Sequence, residues 1–225
     1  MRAVAVRTPG RPLVLSLGWT DGGIERLVGD TRGRLPDLAA VSGPPACAHA
    51  FASLWATRAG TQPALHSRQR IYALETVSPV PRPDGAIERA GAADHDLLDR
   101  WVDAFALETQ GTSNPDTSRQ MARERAPGGP AAALWLWRVG DRAVAMAGHS
   151  GPTRTGIPVA PVYTPPELRG RGYATALVAD LSAHLLTTGY RRLFLFTDLA
   201  NPTSNRIYQR VGYRPMADVH EYRLS

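Results

Sequence analysis

The chain contains no lysine: all 26 of its basic residues are arginine. Schiff-base chemistry, a lysine base and a phosphate-loop lysine are therefore excluded. Cysteine is almost missing too. Cys47 stands alone, so an internal disulfide framework is excluded as well. No apolar run approaches the roughly 20 residues that a membrane-spanning helix needs. Arg7, Pro9 and Arg11 break the N-terminal apolar stretch that a signal peptide would keep whole. A cytoplasmic location with no membrane partner is expected. No group of His, Cys, Asp or Glu has metal-ligand spacing, so no metal site is expected.

What remains is an ordinary globular composition. Of the 225 residues, 43% are hydrophobic and 20% charged, which suits one large domain, or one and a fraction at roughly 150 residues each. The arginines outnumber the 20 acidic residues and leave a formal charge of +6. That balance fits an anionic partner such as nucleic acid, a phosphorylated cofactor or an acidic protein. Neither a clustered basic helix nor an aromatic–basic stripe accompanies it, so nucleic acid is not the expected partner.

Proline and glycine punctuate the chain. Residues 13–17 read as a strand, the stretch from Gly23 to Gly29 as helical, and 46–59 as an apolar helix. Ile71, Ala73, Glu75 and Val77 alternate with Tyr72, Leu74 and Thr76, which predicts a strand over 70–77. Three prolines in 78–85 mark a connector between an N-terminal segment, 1–80, and a domain over 86–225. In that domain Asp94 is expected to cap a helix over 94–110, and a short helix follows at 116–126. Gly140-Asp141 predicts a tight turn between strands 133–139 and 143–150. The next strand, 157–164, contains Pro161, which has no N–H to donate and so predicts a bulge or an edge. A helix over 172–188 would bury Ala174, Leu177, Val178, Leu181 and Leu185. After it come a buried strand at 193–196, a helix opened by Asn201-Pro202 and closed by Gly212, and a last strand within 219–224.

The segment 162–178 joins a strand to a helix through the turn Arg169-Gly170-Arg171-Gly172. The first N–H groups of a helix lack internal partners and lie at the positive end of its dipole. Two glycines clear side chains from them, and two arginines add charge, so the turn reads as an anion site. Position 175 is Thr, which breaks a Rossmann fingerprint, and a Walker loop would need the absent lysine.

R-G-R-G-Y-A at 169–174 resembles the Q/R-x-x-G-x-G/A signature of the GNAT superfamily of acyl-CoA N-acyltransferases. N-P-T-S-N-R-I-Y-Q-R-V-G-Y at 201–213 is similar to the family's second signature, a helix begun by Asn that ends in Tyr before Gly and an aromatic. The resemblance covers 86–225 well and 1–80 poorly. It implies a mixed α/β (α+β) fold, a mostly antiparallel twisted sheet flanked by helices, with 1–80 as an accessory or degenerate half. It implies acetyl-CoA as cofactor. Val162, Tyr163 and Thr164 would hold the pantetheine arm and the acyl carbonyl. Arg169, Gly170, Arg171, Gly172, Tyr173, Ala174 and Thr175 would hold the pyrophosphate, and Asn201 the cofactor arm. Asn205 shares a helix face with Asn201 and Tyr208 at spacings of four and three. Tyr208 would act as the acid near the CoA sulfur. Glu108, on the edge of an apolar helix stripe, is the candidate for binding or deprotonating an acceptor amine. The implied activity is acetyl transfer to a primary amine, expected to be a small molecule. A protein acetyltransferase and a non-catalytic CoA- or partner-binding module are the alternatives.

Several of these residues have a plain structural reading beside the functional one. Asn201 followed by proline is a helix N-cap with proline at the first helical position. Tyr208 fills core between Ile207 and Val211, and Glu108 is a surface-edge carboxylate. Asp198 and His149 are further candidates for a base, and Trp135 and Trp137 alternate as packing residues on one strand face.

Overall fold

A computed structural model of the protein describes residues 3–126 and 128–224. The strands are β1 (Ala5–Val6), β2 (Leu13–Leu15), β3 (Ala40–Gly43), β4 (Ala64–Leu74), β5 (Ala86–Arg89), β6 (Ala132–Val139), β7 (Arg142–Ser150), β8 (Gly156–Tyr163), β9 (Arg192–Asp198) and β10 (Arg214–Arg223). The helices are α1 (Asp21–Arg34), α2 (Pro45–Ala59), α3 (His95–Gln110), α4 (Pro115–Arg125), α5 (Tyr173–Thr187) and α6 (Pro202–Val211). Pairing is mostly antiparallel, with β2–β3 and β8–β9 parallel. This is the mixed α/β arrangement expected. No helix among the described residues is long and apolar enough to cross a membrane.

The chain divides into two compact units. The first comprises Met1–Ile71, Phe196–Pro202 and Pro215–Ser225; the second comprises Tyr72–Leu195 and Thr203–Arg214. The proline-rich connector therefore lies inside the second unit, and the first takes in C-terminal residues.

In the first unit β2 runs parallel to β3, which pairs antiparallel with β10. Leu13 and Leu15 are buried while Val14 is exposed, the period-2 pattern of a half-buried strand. Ile24 and Val28 of α1 and Phe51 and Trp55 of α2 close over them. Thr20 caps α1 by accepting from the Gly23 N–H at 3.2 Å. β3 escaped the sequence reading because four residues that end in Gly43 ahead of Pro44 carry too little periodicity. Arg70 of β4 donates twice to Asp218 of β10, at 2.6 and 2.9 Å.

In the second unit the hydrogen-bonded order is β9-β8-β7-β6-β5. Leu134, Leu136 and Met146 pack with α3 and α4, whereas Trp135, Trp137, Ala145 and Ala147 pack with α5. Both sheet faces are covered, which is why β6 reads as an apolar run from Ala132 to Trp137. Asp94 does not cap α3 as expected. A 3₁₀ turn (Ala92–Asp94) precedes the helix, and the carboxylate instead accepts from the Gly91 N–H at 3.0 Å and from Arg138 on β6. It thereby ties the helix start to the sheet. Of the expected α5 stripe, Ala174 is only partly covered, and Leu177, Val178, Leu181 and Leu185 are buried. The interruption expected at Pro161 is present. His149 pairs with Val159 but Ala147 with Val162, so three steps on β8 answer two on β7.

The end of β4 belongs to this second core. Tyr72 and Leu74 are each 1% exposed. The Ser78 N–H then donates to the Val211 carbonyl at 2.9 Å. Gly212 permits that approach, because a Cβ there would stand 2.9 Å from the Ser78 hydroxyl and the Thr76 carbonyl. Leu74→Ala is expected to cost about 2–5 kcal/mol. Leu65→Ala on the same strand, at a position 39% exposed, is expected to cost no more than about 0.5 kcal/mol. Urea denaturation followed by circular dichroism measures both; equal losses would remove Leu74 from the core.

Candidate active site

The site is built around the start of α5. β8 ends at Tyr163, a 3₁₀ turn (Pro166–Leu168) follows, and Leu168 is buried as its anchor. The chain then turns through Gly170 at φ +78° and Gly172 at φ +84°, conformations that glycine adopts without the strain a side chain would meet. A Cβ at Gly170 would meet nothing within 4 Å, and one at Gly172 only two Pro83 carbons at 3.9 Å. Crowding therefore does not select these glycines; backbone conformation does, and the face they present is open.

α5 has no side-chain cap, and its first internal bond runs from the Ala176 N–H to the Gly172 carbonyl at 3.0 Å. Among the described residues, the N–H groups from Gly170 to Thr175 thus have no backbone acceptor. A run of free donors at the positive end of a helix dipole is an anion cradle. Arg171 is exposed, and among the described residues its side chain hydrogen-bonds the Glu167 carbonyl alone, at 3.3 Å, so its charge stays at the turn.

Arg169 is differently placed. Its Nε donates to the Thr164 carbonyl at 2.9 Å, and its Nη2 to both Glu108 oxygens at 2.7 and 2.8 Å. The guanidinium also lies 5.9 Å from the Tyr163 ring centre, which in turn stands 6.1 Å from that of Trp101. Two residues expected to act separately are therefore one ion pair, which ties the end of α3 to the turn. Burial, then the Glu108 charge, pushes the Tyr163 phenol above its ordinary value. The Thr164 hydroxyl is buried with no hydrogen-bond partner among the described residues. Beside it, the parallel β8–β9 ladder is described only from Gly156↔Arg192 to Pro158↔Phe194, while β7 accompanies β8 as far as Tyr163. Val162 pairs with Ala147 on the β7 side.

On α6, Tyr208 is 8% exposed and meets the Tyr213 ring edge-on at 6.0 Å. Burial pushes its phenol up to about 12, so it holds its proton throughout the neutral range. Its hydroxyl makes no hydrogen bond among the described residues, whereas the Tyr213 hydroxyl pairs with Ser182 at 2.9 Å. Asn205 accepts from the Tyr72 hydroxyl at 3.1 Å, and Gln209 donates to that same hydroxyl at 3.1 Å. Tyr72 and Gln209 were not singled out from the sequence. Strand alternation marks Tyr72 as inward-facing, but nothing local names its partner. Asn201 falls in the first unit, directly ahead of Pro202; its N–H donates to the Asp198 carbonyl at 3.1 Å. Asp198 accepts from the Ala200 N–H at 2.7 Å, a local turn contact. His149 lies on β7, where burial lowers it to about 4. No group of three or more potential metal ligands occurs among the described residues.

Residues 96–213 match the model of the acetyltransferase (GNAT) family. Among solved structures, a GCN5-related N-acetyltransferase from Kribbella flavida aligns with a TM-score of 0.65 at 16% identity, over 94% of this chain and 80% of that one. An acetyltransferase of the GNAT family from Colwellia psychrerythraea aligns at 0.62 and 11% identity, over 94% of this chain and 78% of that one. A functionally unknown conserved protein from Staphylococcus epidermidis gives 0.63 at 11% identity, over 95% and 84%. At such identities the likeness is one of fold. No curated protein matches the chain significantly.

Gly172→Glu places a carboxylate on the open face of the turn. Its affinity for coenzyme A, measured by calorimetry, is expected to fall at least ten-fold, about 1.4 kcal/mol. Gly172→Ala carries the backbone strain without the charge and is expected to lose less. Equal affinities in both variants and the wild type would remove the turn from the site.

Proposed function

The chain belongs to the GNAT acetyltransferase family, and on that premise we propose that it transfers an acetyl group from acetyl-CoA to the primary amine of a small molecule. The observation that carries this reading is the run of unpaired N–H groups from Gly170 to Thr175. They suit a diphosphate, and Arg171 adds charge beside them. The Thr164 hydroxyl, without a hydrogen-bond partner among the described residues, is the group offered to the polar arm of the cofactor. Residues 86–225 carry the transfer, with 1–80 as an accessory segment that contributes β4.

When bound, acetyl-CoA supplies the activated thioester carbonyl. Strand N–H groups at Val162 and Thr164 would donate to the acyl oxygen and stabilise charge that develops there. Tyr208, which holds its proton throughout the neutral range, would offer that proton to the departing sulfur and take one back from solvent. Glu108 holds Arg169 with both oxygens, so it serves as a positioning residue, and the amine proton leaves to solvent. The Trp101–Tyr163 pair beside this clamp is buried and packs the end of β8 against α3.

Tyr208→Phe keeps the ring and removes the donor. Its kcat is expected to drop by about 10²–10⁴, with KM for acetyl-CoA little changed. Since the phenol is protonated at both pH 7 and pH 9, the loss is expected to be the same at each. A kcat within about two-fold of wild type would make Tyr208 a packing residue. A thiol-release screen over amino acids, polyamines, aminoglycosides and peptides tests the acceptor. Turnover confined to peptides or proteins would overturn the small-molecule reading.

A further inference from the structure

Two hydrogen bonds of the second unit converge on one buried hydroxyl. Tyr72 of β4 is 1% exposed. Its O–H donates to Asn205 Oδ1 at 3.1 Å and accepts from Gln209 Nε2 at 3.1 Å. With its one proton on Asn205 and a lone pair on Gln209, the hydroxyl has a fixed direction. Asn205 and Gln209 lie four apart on α6, so one strand residue grips two successive turns of that helix.

The grip falls where packing is thin. The buried side chains of α6 are Tyr208 and Val211, both in its C-terminal half. The backbone holds that end: the Ser78 N–H donates to the Val211 carbonyl at 2.9 Å, and the Tyr213 N–H to the Tyr208 carbonyl at 3.0 Å. A helix pinned at one end can still turn about that pin. Tyr72 holds the preceding turn, at Asn205, and so fixes the rotation of α6 about its axis. Gln209 is exposed, and its amide could bond water instead, so this contact adds little to stability. What it adds is direction.

Tyr208 depends on that rotation. Its hydroxyl makes no hydrogen bond among the described residues; Tyr213, which its ring meets edge-on at 6.0 Å, bonds Ser182 instead. The azimuth of the helix, and not a bond at the phenol, therefore sets where the proton is offered. A misplacement of about 1 Å near a reacting centre can cost about 10²-fold in rate.

We propose that Tyr72 is a positioning residue for the transfer: through Asn205 and Gln209 it holds α6 at the rotation that presents the Tyr208 phenol to the departing sulfur. The proposal rests on the acid role given to Tyr208 above, and it assigns the Asn205 side-chain oxygen to the helix anchor.

Tyr72→Phe keeps the ring in the core and removes the hydroxyl alone. In the full chain labelled with ¹³C at tyrosine Cζ, the Tyr208 signal is identified by its loss in Tyr208→Phe. That signal is expected to move in Tyr72→Phe, while the Tyr190 signal stays. The kcat of Tyr72→Phe is expected to fall about ten-fold or more, with KM for acetyl-CoA changed by no more than about two-fold and thermal unfolding still cooperative. Combined with Tyr208→Phe, it is expected to cost nothing further, because both changes remove the same interaction. Gln209→Leu, at an exposed position, breaks one of the two bonds without touching the core. It is expected to move the Tyr208 signal and lower kcat by less, and it carries the test if Tyr72→Phe does not fold. An unmoved Tyr208 signal would overturn the inference. So would losses that add in the double variant, or a kcat at the wild-type level in Tyr72→Phe when Tyr208→Phe is slow. A moved signal in a protein whose Tyr208→Phe variant keeps the wild-type kcat would leave the anchor standing and overturn the acid reading alone.

Discussion

A helix cannot satisfy its own first N–H groups, and α5 begins with no side chain to do so. Much of the second unit serves to hold that unfilled end in place. Leu177, Val178, Leu181 and Leu185 bury the body of the helix against the sheet, so its axis is set by packing and not by its cap. Leu168 plugs the turn before it. The Arg169–Glu108 clamp then ties the turn to α3. As an ion pair roughly half-exposed on both sides, it contributes little to stability; its effect is to fix a register between a loop and a helix.

Burial sorts chemically similar groups into different roles. Tyr208 and Tyr213 lie together in one core, and burial raises both phenols. Tyr213 is bonded to Ser182, whereas the Tyr208 hydroxyl makes no hydrogen bond among the described residues. His149 and His184 both flank Trp135, yet only His149 is enclosed, and its imidazole is held neutral near pH 7 by the cost of burying charge.

The way the chain is divided also bears on its chemistry. Tyr72 and Leu74 come from a strand that precedes the connector, yet they sit in the second core. Tyr72 links to Asn205 and Gln209 of α6, the helix that carries Tyr208. An apparently accessory segment therefore supports the helix bearing the candidate acid, so losing it would disturb more than the first unit.

Much of this was legible in the residues themselves. The helices α2 to α6, the hairpin at Gly140-Asp141, the bulge near Pro161 and the glycine turn before α5 are local features. Each depends on periodicity, a left-handed residue or a missing donor, and each of those is written in a few consecutive positions. The strands β1 and β3 were too short to show a period. The connector was legible as a proline run but not as part of the second unit, because membership of a compact unit follows from contacts and not from composition. Tertiary structure alone decided that Glu108 meets Arg169 across 61 positions, that Tyr72 meets Asn205 across 133, and that Trp135 meets His149 across 14. Those outcomes depend on strand register and helix docking, where a shift of one residue changes which side chain is enclosed and which atom is left without a partner.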